Sequence, residues 1–412
     1  MNQRRARSRL AVPVALTALL LCARLLSVPA LSDPVAGAAP PSLRLRAPGL
    51  YVILAPLFTL WDGVSMLSMS RLIGFLSGLA LLYVAWRVVR LIRGARFSFL
   101  KELSSLVVSL ALFAGFVISG AIWHRPMISL VGTDPEDMVV DFHSHTNVSH
   151  DVRDTWMRGF DAAANLRWHS RAGFDAVFIT DHNTVEGLGA KDREPGTGDR
   201  GKQTALCPGI EVSAWKAHIV LLGDTMPVDR SRYNKSLDGL LALLATSDSA
   251  YGALSVASLP EYRRYHWERL SRLAGAGLDG FEIVNASPKA NELTDAEQDS
   301  VIELARRGNQ FLVGVSDSHG WGATSMVWNL VRAPGHTAGD PCSAVLRQLR
   351  TGFPAVRIVE RHRLRPGGWW PMWLTPLGVV WETWRSMGWE LTAAWLVWTW
   401  IGTWVLGQRR RD

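Results

Sequence analysis

The stretch 141-DFHSHTNVSHD-151 decides how this chain is read. It closes an apolar run, MVVDF at 138–142, with the length and composition of a buried strand, so His143 and His145 fall at the strand's end. Alternate residues of a strand face one side, and a strand ending in His-x-His can therefore offer two imidazole nitrogens to one cation. His150 lies in a turn beyond them, from which it can reach a neighbouring ion, with Asp151 as its rival. Asp141 is better placed to hydrogen-bond a ligand than to be one.

Four later strings repeat the arrangement of an apolar run with polar residues at its edge. In TDHNTVEG (180–187) the candidate ligand is His182, with Asp181 orienting the site. Glu211 in PGIEVS (208–213) is a carboxylate whose two oxygens can bridge two cations, and His218 opens HIVLLG (218–223). Asp317 and His319 in VGVSDSHG (313–320) repeat the two-residue spacing and can serve different ions. Taken singly, each of these histidines is more often a surface or hydrogen-bonded residue than a ligand. It is the ordered set that points to a multinuclear metal centre, and so to a metal-dependent hydrolase. His124, His169, His336 and His362 lack such a setting and are read as structural or surface residues.

Between about 138 and 360, apolar runs (MVVDFH, AVFITDH, HIVLLG, FEIVNA, QFLVGVSD) alternate with helical patterns such as GFDAAANLRWHSRAG and DAEQDSVIELARRGN. That alternation predicts an α/β domain with a largely parallel sheet, whose functional residues gather at the C-terminal ends of the strands.

The five strings, in this order, closely resemble the motifs of the PHP (polymerase and histidinol phosphatase) superfamily, especially its small-phosphoesterase branch, over residues 138 to 322. The resemblance implies a distorted (β/α)7 TIM-like barrel that holds two or three divalent ions (manganese, iron or zinc) and hydrolyses phosphate esters. It implies His143, His145, Glu211 and Asp317 around a first ion, and Glu211 bridging to a second held by His218. His150, His182 and His319 would hold a third. Glu211, Asp317 and His182 are the residues expected to carry catalysis. One position departs from the pattern: the family's His-Pro is here Leu259-Pro260, in VASLP (256–260). The second ion then lacks a ligand unless Glu261 or His266 supplies one. Arg263 and Arg264, just beyond, are candidates to clamp a phosphate, with a solvated surface role as the alternative.

Outside this domain the chain is unusually apolar, with 48% hydrophobic residues in 412. Residues 1–125 contain apolar segments at about 10–31, 50–69, 71–92 and 103–123; the last is uncharged and long enough to cross a hydrocarbon core needing about 20 residues. The start of the chain reads as a signal peptide or a signal anchor. Ten of the nineteen tryptophans lie in 369–412, where 369–388 is expected along the bilayer surface and 391–406 as a last span before Arg409–Arg411. The flanking arginines account for much of the net charge of +8, which makes nucleic acid an unlikely partner. If the clusters at Arg87–Lys101 and Arg409–Arg411 are cytoplasmic, the domain between them lies outside the inner membrane. The N-terminal arginines then require an even number of crossings before residue 87, whereas three candidates precede it. Cys207 and Cys342 can pair or stay free.

The expected function is a membrane-anchored phosphoesterase acting on a phosphorylated small molecule or lipid headgroup. An exonuclease of the related kind and a sensory module that binds metal without turnover are the alternatives.

Overall fold

A computed structural model describes residues 2–94, 98–155, 157, 159–188, 196–197, 203–223, 227–335 and 340–408. Arg96, His336, Arg409–Arg411 and most of the polar loop at 187–203 lie outside the described residues. The central feature is a curled mixed sheet of β1 (Asp137–Ser144), β2 (Ala176–Ile179), β3 (Gln203–Ala214), β4 (Ala217–Leu222), β5 (Leu254–Ala257), β6 (Gly280–Asn285), β7 (Phe311–Val315), β8 (Val327–Arg332) and β9 (Val356–Arg361). From β1 to β7 the strands follow one another in chain order across the sheet, and β8 and β9 extend its other edge beyond β1. All neighbours from β1 to β7 are parallel except at β4, which forms a hairpin with β3 and runs antiparallel to β5. The expected largely parallel α/β sheet is thus a half-barrel in which two of these strands, β4 and β8, are reversed.

The curl brings β7 back beside β1. Asp317 N–H donates to the His143 carbonyl (2.9 Å) and His145 N–H to the Ser318 carbonyl (3.0 Å), so two of the metal-site strings are laced together by backbone. Lower down, Asn329 of β8 does the same with its side chain. Its amide donates to the carbonyls of Val140 (2.8 Å) and Gly314 (2.5 Å) and accepts from Gly314 N–H (2.8 Å). Residue 314 must be glycine here, because a Cβ would sit 2.2 Å from Val327 Cγ2. Inside the curl, Val140, Phe142, Phe178, Ile210, Val212, Phe281 and Val313 are buried in one core. Helices on the outside are closed by local chemistry: Asp161 caps Ala162–Ala172, and Thr294 with Glu297 forms a capping box on Asp295–Gly308. Cys207 of β3 and Cys342 are joined as a disulfide.

Among the described residues the apolar flanks include the helices α1 (Asn2–Leu25), α2 (Ala55–Ser65), α3 (Met69–Ile92), α4 (Phe99–Ile122), α5 (Thr375–Ser386) and α6 (Trp389–Gln408). Two of these, α3 and α4, are 24 residues each and long and apolar enough to cross a membrane; at 1.5 Å per residue each spans about 36 Å. Both are mostly exposed along their length. The sequence of 50–86 suits either a tight pair of spans or one span with a re-entrant piece, and the segment 50–69 does not form one long helix. It breaks into Gly49–Ile53 and α2, and α2 has 11 residues, about 16 Å, too short to cross. The break falls at Leu54, ahead of Pro56 in the first turn of α2, and within α2 Asp62 is buried and meets Arg125 (3.0 Å), Arg361 (3.0 Å) and Tyr51 Oη (2.7 Å). Two guanidinium groups hold its carboxyl below the usual range against the opposing effect of burial. This piece therefore docks on the α/β domain, as do Leu31–Ser32, paired with β9, and Arg44–Arg46, paired with Ser129–Val131. The tryptophan-rich segment packs partly inward, with Trp384 buried, and leaves Trp369 and Trp373 exposed.

Candidate metal centre

Strand ends supply the site. The Nε2 atoms of His143 and His145 lie 3.0 Å apart. Glu211 Oε2 is 3.3 and 3.5 Å from them, and Asp317 Oδ1 is 3.6 and 3.2 Å. Ligands bound at about 2.1 Å around one tetrahedral ion stand about 3.4 Å apart, which is close to the separation of each carboxylate oxygen from the two imidazole nitrogens. Glu211 faces two ways: Oε2 also lies 2.9 Å from His182 Nδ1, while Oε1 lies 3.0 Å from His218 Nδ1. A third group gathers on Asp151, whose Oδ2 is 3.0 Å from His182 Nε2 and 2.6 Å from His319 Nε2. Asp317 sits at φ +46°, a left-handed conformation that costs a non-glycine residue about 1–3 kcal/mol and that recurs at functional sites.

Seven of the eight expected ligands converge: His143, His145, His182, Glu211, His218, Asp317 and His319. His150 does not. It is exposed and starts the short helix His150–Arg153, whereas its neighbour Asp151 points its carboxylate at His182 and His319. The third group is therefore Asp151, His182 and His319, with His145 beside them.

The donors fit divalent cations. Glu211 Oε2, His145 Nδ1 and His182 Nδ1 are buried and make no hydrogen bond of acceptable geometry. A buried carboxylate oxygen in that state is costly unless a cation satisfies it. Without a cation, protons serve instead. Against burial, which disfavours charge, Glu211, Asp317 and Glu282 raise the His143 imidazole well above its usual value. Glu211 and Asp151 likewise push His182 up to about 10, and Asp317 and Asp151 push His319 up to about 9. His145, buried between His319 and His143, falls to about 4. The carboxyl of Glu211 is held well below its usual range by His143, His182 and His218 despite its burial.

Sequence reasoning missed Glu282. Its Oε1 lies 2.7 Å from His143 Nδ1, and its Oε2 accepts from the backbone N–H of Leu259 and from Asn285 Nδ2, both at 2.9 Å. A carboxylate there fixes the imidazole so that Nε2 faces the other donors. The available signal was a glutamate inside the otherwise apolar strand FEIVN. Asp141 behaves as expected of a supporting residue, holding His169 Nε2 (2.8 Å) and Ser316 N–H (3.1 Å). Asp181 accepts from Thr146 N–H and Oγ1 (2.6 and 2.7 Å) and so shapes the loop after His145.

At the departing position, Leu259 is fully buried and offers no donor. Glu261 is the nearer substitute, 3.8 Å from His218 Nδ1, its carboxyl pushed up to about 7 by burial and by Glu211 although His218 opposes the shift. His266 is turned to the Trp215 carbonyl (3.2 Å) instead. His218 and Glu261 open onto a cavity of about 600 Å3 whose rim carries Lys216, Arg263, Arg264 and Lys289. Arg263 pairs with Glu297 (3.1 Å), and Arg264 lies over the Tyr265 ring.

No family model matches the chain, and no curated protein matches it. Among solved structures it is similar to a candidate metal-dependent phosphoesterase from Bifidobacterium adolescentis, with a TM-score of 0.33 and 17% identity over 44% of this chain and 88% of that one. It is also similar to PsfC from Pseudomonas syringae PB-5123, with a TM-score of 0.37 and 20% identity over 60% of this chain and 96% of that one. At these values neither likeness carries an activity to this chain, whose own donor set makes it a candidate binder of divalent metal ions.

Proposed function

We propose that this chain is a membrane-anchored, metal-dependent phosphoesterase. The observation that carries the reading is the convergence of His143, His145, Glu211 and Asp317 at 3.0–3.6 Å, with Glu211 reaching on to His182 and His218. His143, His145, Glu211 and Asp317 would hold one cation, Glu211 and His218 a second, and Asp151, His182 and His319 a third; manganese, iron and zinc all suit such donors. Bound there, divalent cations supply a coordinated water of lowered pKa and positive charge for phosphoryl oxygens. The chain's own contribution is orientation: Glu282 holds His143, the φ of Asp317 brings its carboxylate beside both histidines, and the basic rim of the cavity favours an anionic ester.

The membrane reading draws support from the docked segment 50–69. With that candidate removed, α1 and α3 are two crossings before the arginines at 87–93, and the N-terminal arginines can share their side. Two further crossings by α4 and α6 then put residues 26–68 and the α/β domain together on the opposite side, where Leu31–Ser32 and Arg44–Arg46 pair with it. The Cys207–Cys342 disulfide agrees with an oxidising, extracytoplasmic compartment.

The test is the full-length protein in detergent, reloaded in turn with manganese, iron or zinc, assayed for bound metal and for hydrolysis of an aryl phosphate. Turnover that His143→Ala abolishes is the expected result. Bound metal with no turnover on any phosphate ester would favour the non-catalytic binding module, the reading that Leu259's missing donor supports.

A further inference from the structure

We propose that the phosphate ester reaches this site from the bilayer, as the headgroup of a lipid; the inference rests on the phosphoesterase and membrane-anchor readings above. It starts from where the two long apolar helices meet the domain. The N-terminus of α3 is fastened to the segment that follows β6: Met69 N–H donates to the Pro288 carbonyl (2.8 Å), and Ser70 gives its N–H and hydroxyl to the Glu292 carboxylate (2.5 and 2.8 Å). Met69 and Glu292 line the same cavity as His218 and Glu261. The C-terminus of α4 arrives beside the end of the β7 string, where a Cβ on Gly322 would lie 3.4 Å from Ala121 Cα, and the His124 ring lies tilted against Trp321, the ring centres 4.0 Å apart. Both helices therefore leave and rejoin the domain on the face that carries Asp317, His319 and His218, and not on the opposite end of the strands.

The depth of the bilayer can be read from a second, independent feature. Residues 372–376 lie against the first turns of α3, close enough that a Cβ on Gly74 would be 2.6 Å from the Met372 carbonyl and one on Gly78 2.5 Å from the Trp373 carbonyl. Arg71 in turn donates to the carbonyls of Gly368 and Trp370 (3.2 and 2.6 Å), so Trp369 and Trp373, whose indoles are exposed, belong to a segment that runs beside residues 71–78. Indoles settle at the membrane–water interface, and Arg71, the near end of that stretch, is about 3 Å along the helix axis from Met69. The headgroup layer on each side of a bilayer is about 5–8 Å deep, so the cavity, which Met69 lines, stands within its reach. A phosphate carried on a lipid headgroup reaches that height while its chains stay in the bilayer. Lys216, Lys289, Arg263 and Arg264 around the rim suit its charge.

The experiment compares one aryl phosphate with and without a long acyl anchor, using the full chain reconstituted in phosphatidylcholine vesicles. The anchored ester, confined with the enzyme to the surface, is expected to turn over at least about tenfold faster at equal bulk concentration. Dissolving the vesicles in detergent should remove the difference. Trp369→Ser with Trp373→Ser should lower the rate on the anchored ester and leave the free ester unchanged. Equal or slower hydrolysis of the anchored ester, with the free ester still cleaved, overturns the lipid inference and leaves the phosphoesterase reading intact. If neither ester is cleaved, the phosphoesterase reading itself fails, and this inference falls with it.

Discussion

Glu282 holds His143 from behind: the Glu282 Oε1 to His143 Nδ1 distance is 2.7 Å, and both groups are buried. A carboxylate on Nδ1 selects the tautomer that leaves Nε2 free to bind a cation, and raises its basicity. Glu282→Gln keeps the size of the side chain and removes the charge. Metal affinity, measured by competition with a chelator, should fall about 10- to 100-fold. Unchanged affinity would show that His143 is positioned by other contacts.

Asp151 and His150 make a paired test of the third group of donors. Asp151→Ala removes the carboxylate that His182 and His319 share and should lower the bound metal by one equivalent. His150→Ala should leave the stoichiometry of the wild type, since this side chain is exposed. Loss of metal from His150→Ala instead would restore the ligand set expected from sequence.

The metal-free protein should lose stability as pH rises from 6.5 to 10. His182 and His319 are raised to about 10 and about 9 by their carboxylate neighbours, above the unfolded value near 6.5. A raised folded pKa contributes stability that is complete below the unfolded pKa and disappears as pH passes the folded one. The depressed carboxyls of Glu211 and Asp317 work oppositely, and their contribution is lost as pH falls below about 4. Cations require neutral imidazoles, so their binding strengthens with pH. Melting temperatures of chelator-treated and metal-loaded protein should therefore diverge between pH 6 and 9; a constant gap would contradict this coupling.

Reduction of the Cys207–Cys342 disulfide should destabilise the domain. The bond spans 135 residues, and closing a loop of that length constrains the unfolded chain by about 2–5 kcal/mol. Replacing both cysteines by serine should lower the urea midpoint in detergent, and added reductant should then have no further effect. Midpoints that ignore both treatments would show that the bond contributes nothing.

Much of the site was legible because metal chemistry admits few residue types, and a parallel strand displays them at one end. His143, His145, His182, Glu211, His218, Asp317 and His319 follow from that rule. Between His150 and its rival Asp151 the sequence does not choose, because a helix begins there, and at such a boundary a shift of one residue changes which side chain faces inward. Glu282 stayed hidden because its role depends on a partner 139 residues away. The same holds for the flanks: apolar composition marks α3 and α4, but 50–69 looks equally apolar.

The sequence alone thus determined the chemistry of the donors, the α/β alternation and the two long apolar helices, all of which are properties of local pattern. Tertiary structure alone decided that the Asp151 carboxylate meets His182 and His319, that Glu282 supports His143, and that Asp62 fastens α2 to the α/β domain. Each of these turns on a polar group whose cost of burial is met by residues distant in the chain: His319 for Asp151, His143 for Glu282, and Arg125 and Arg361 for Asp62. No local window of sequence contains both partners.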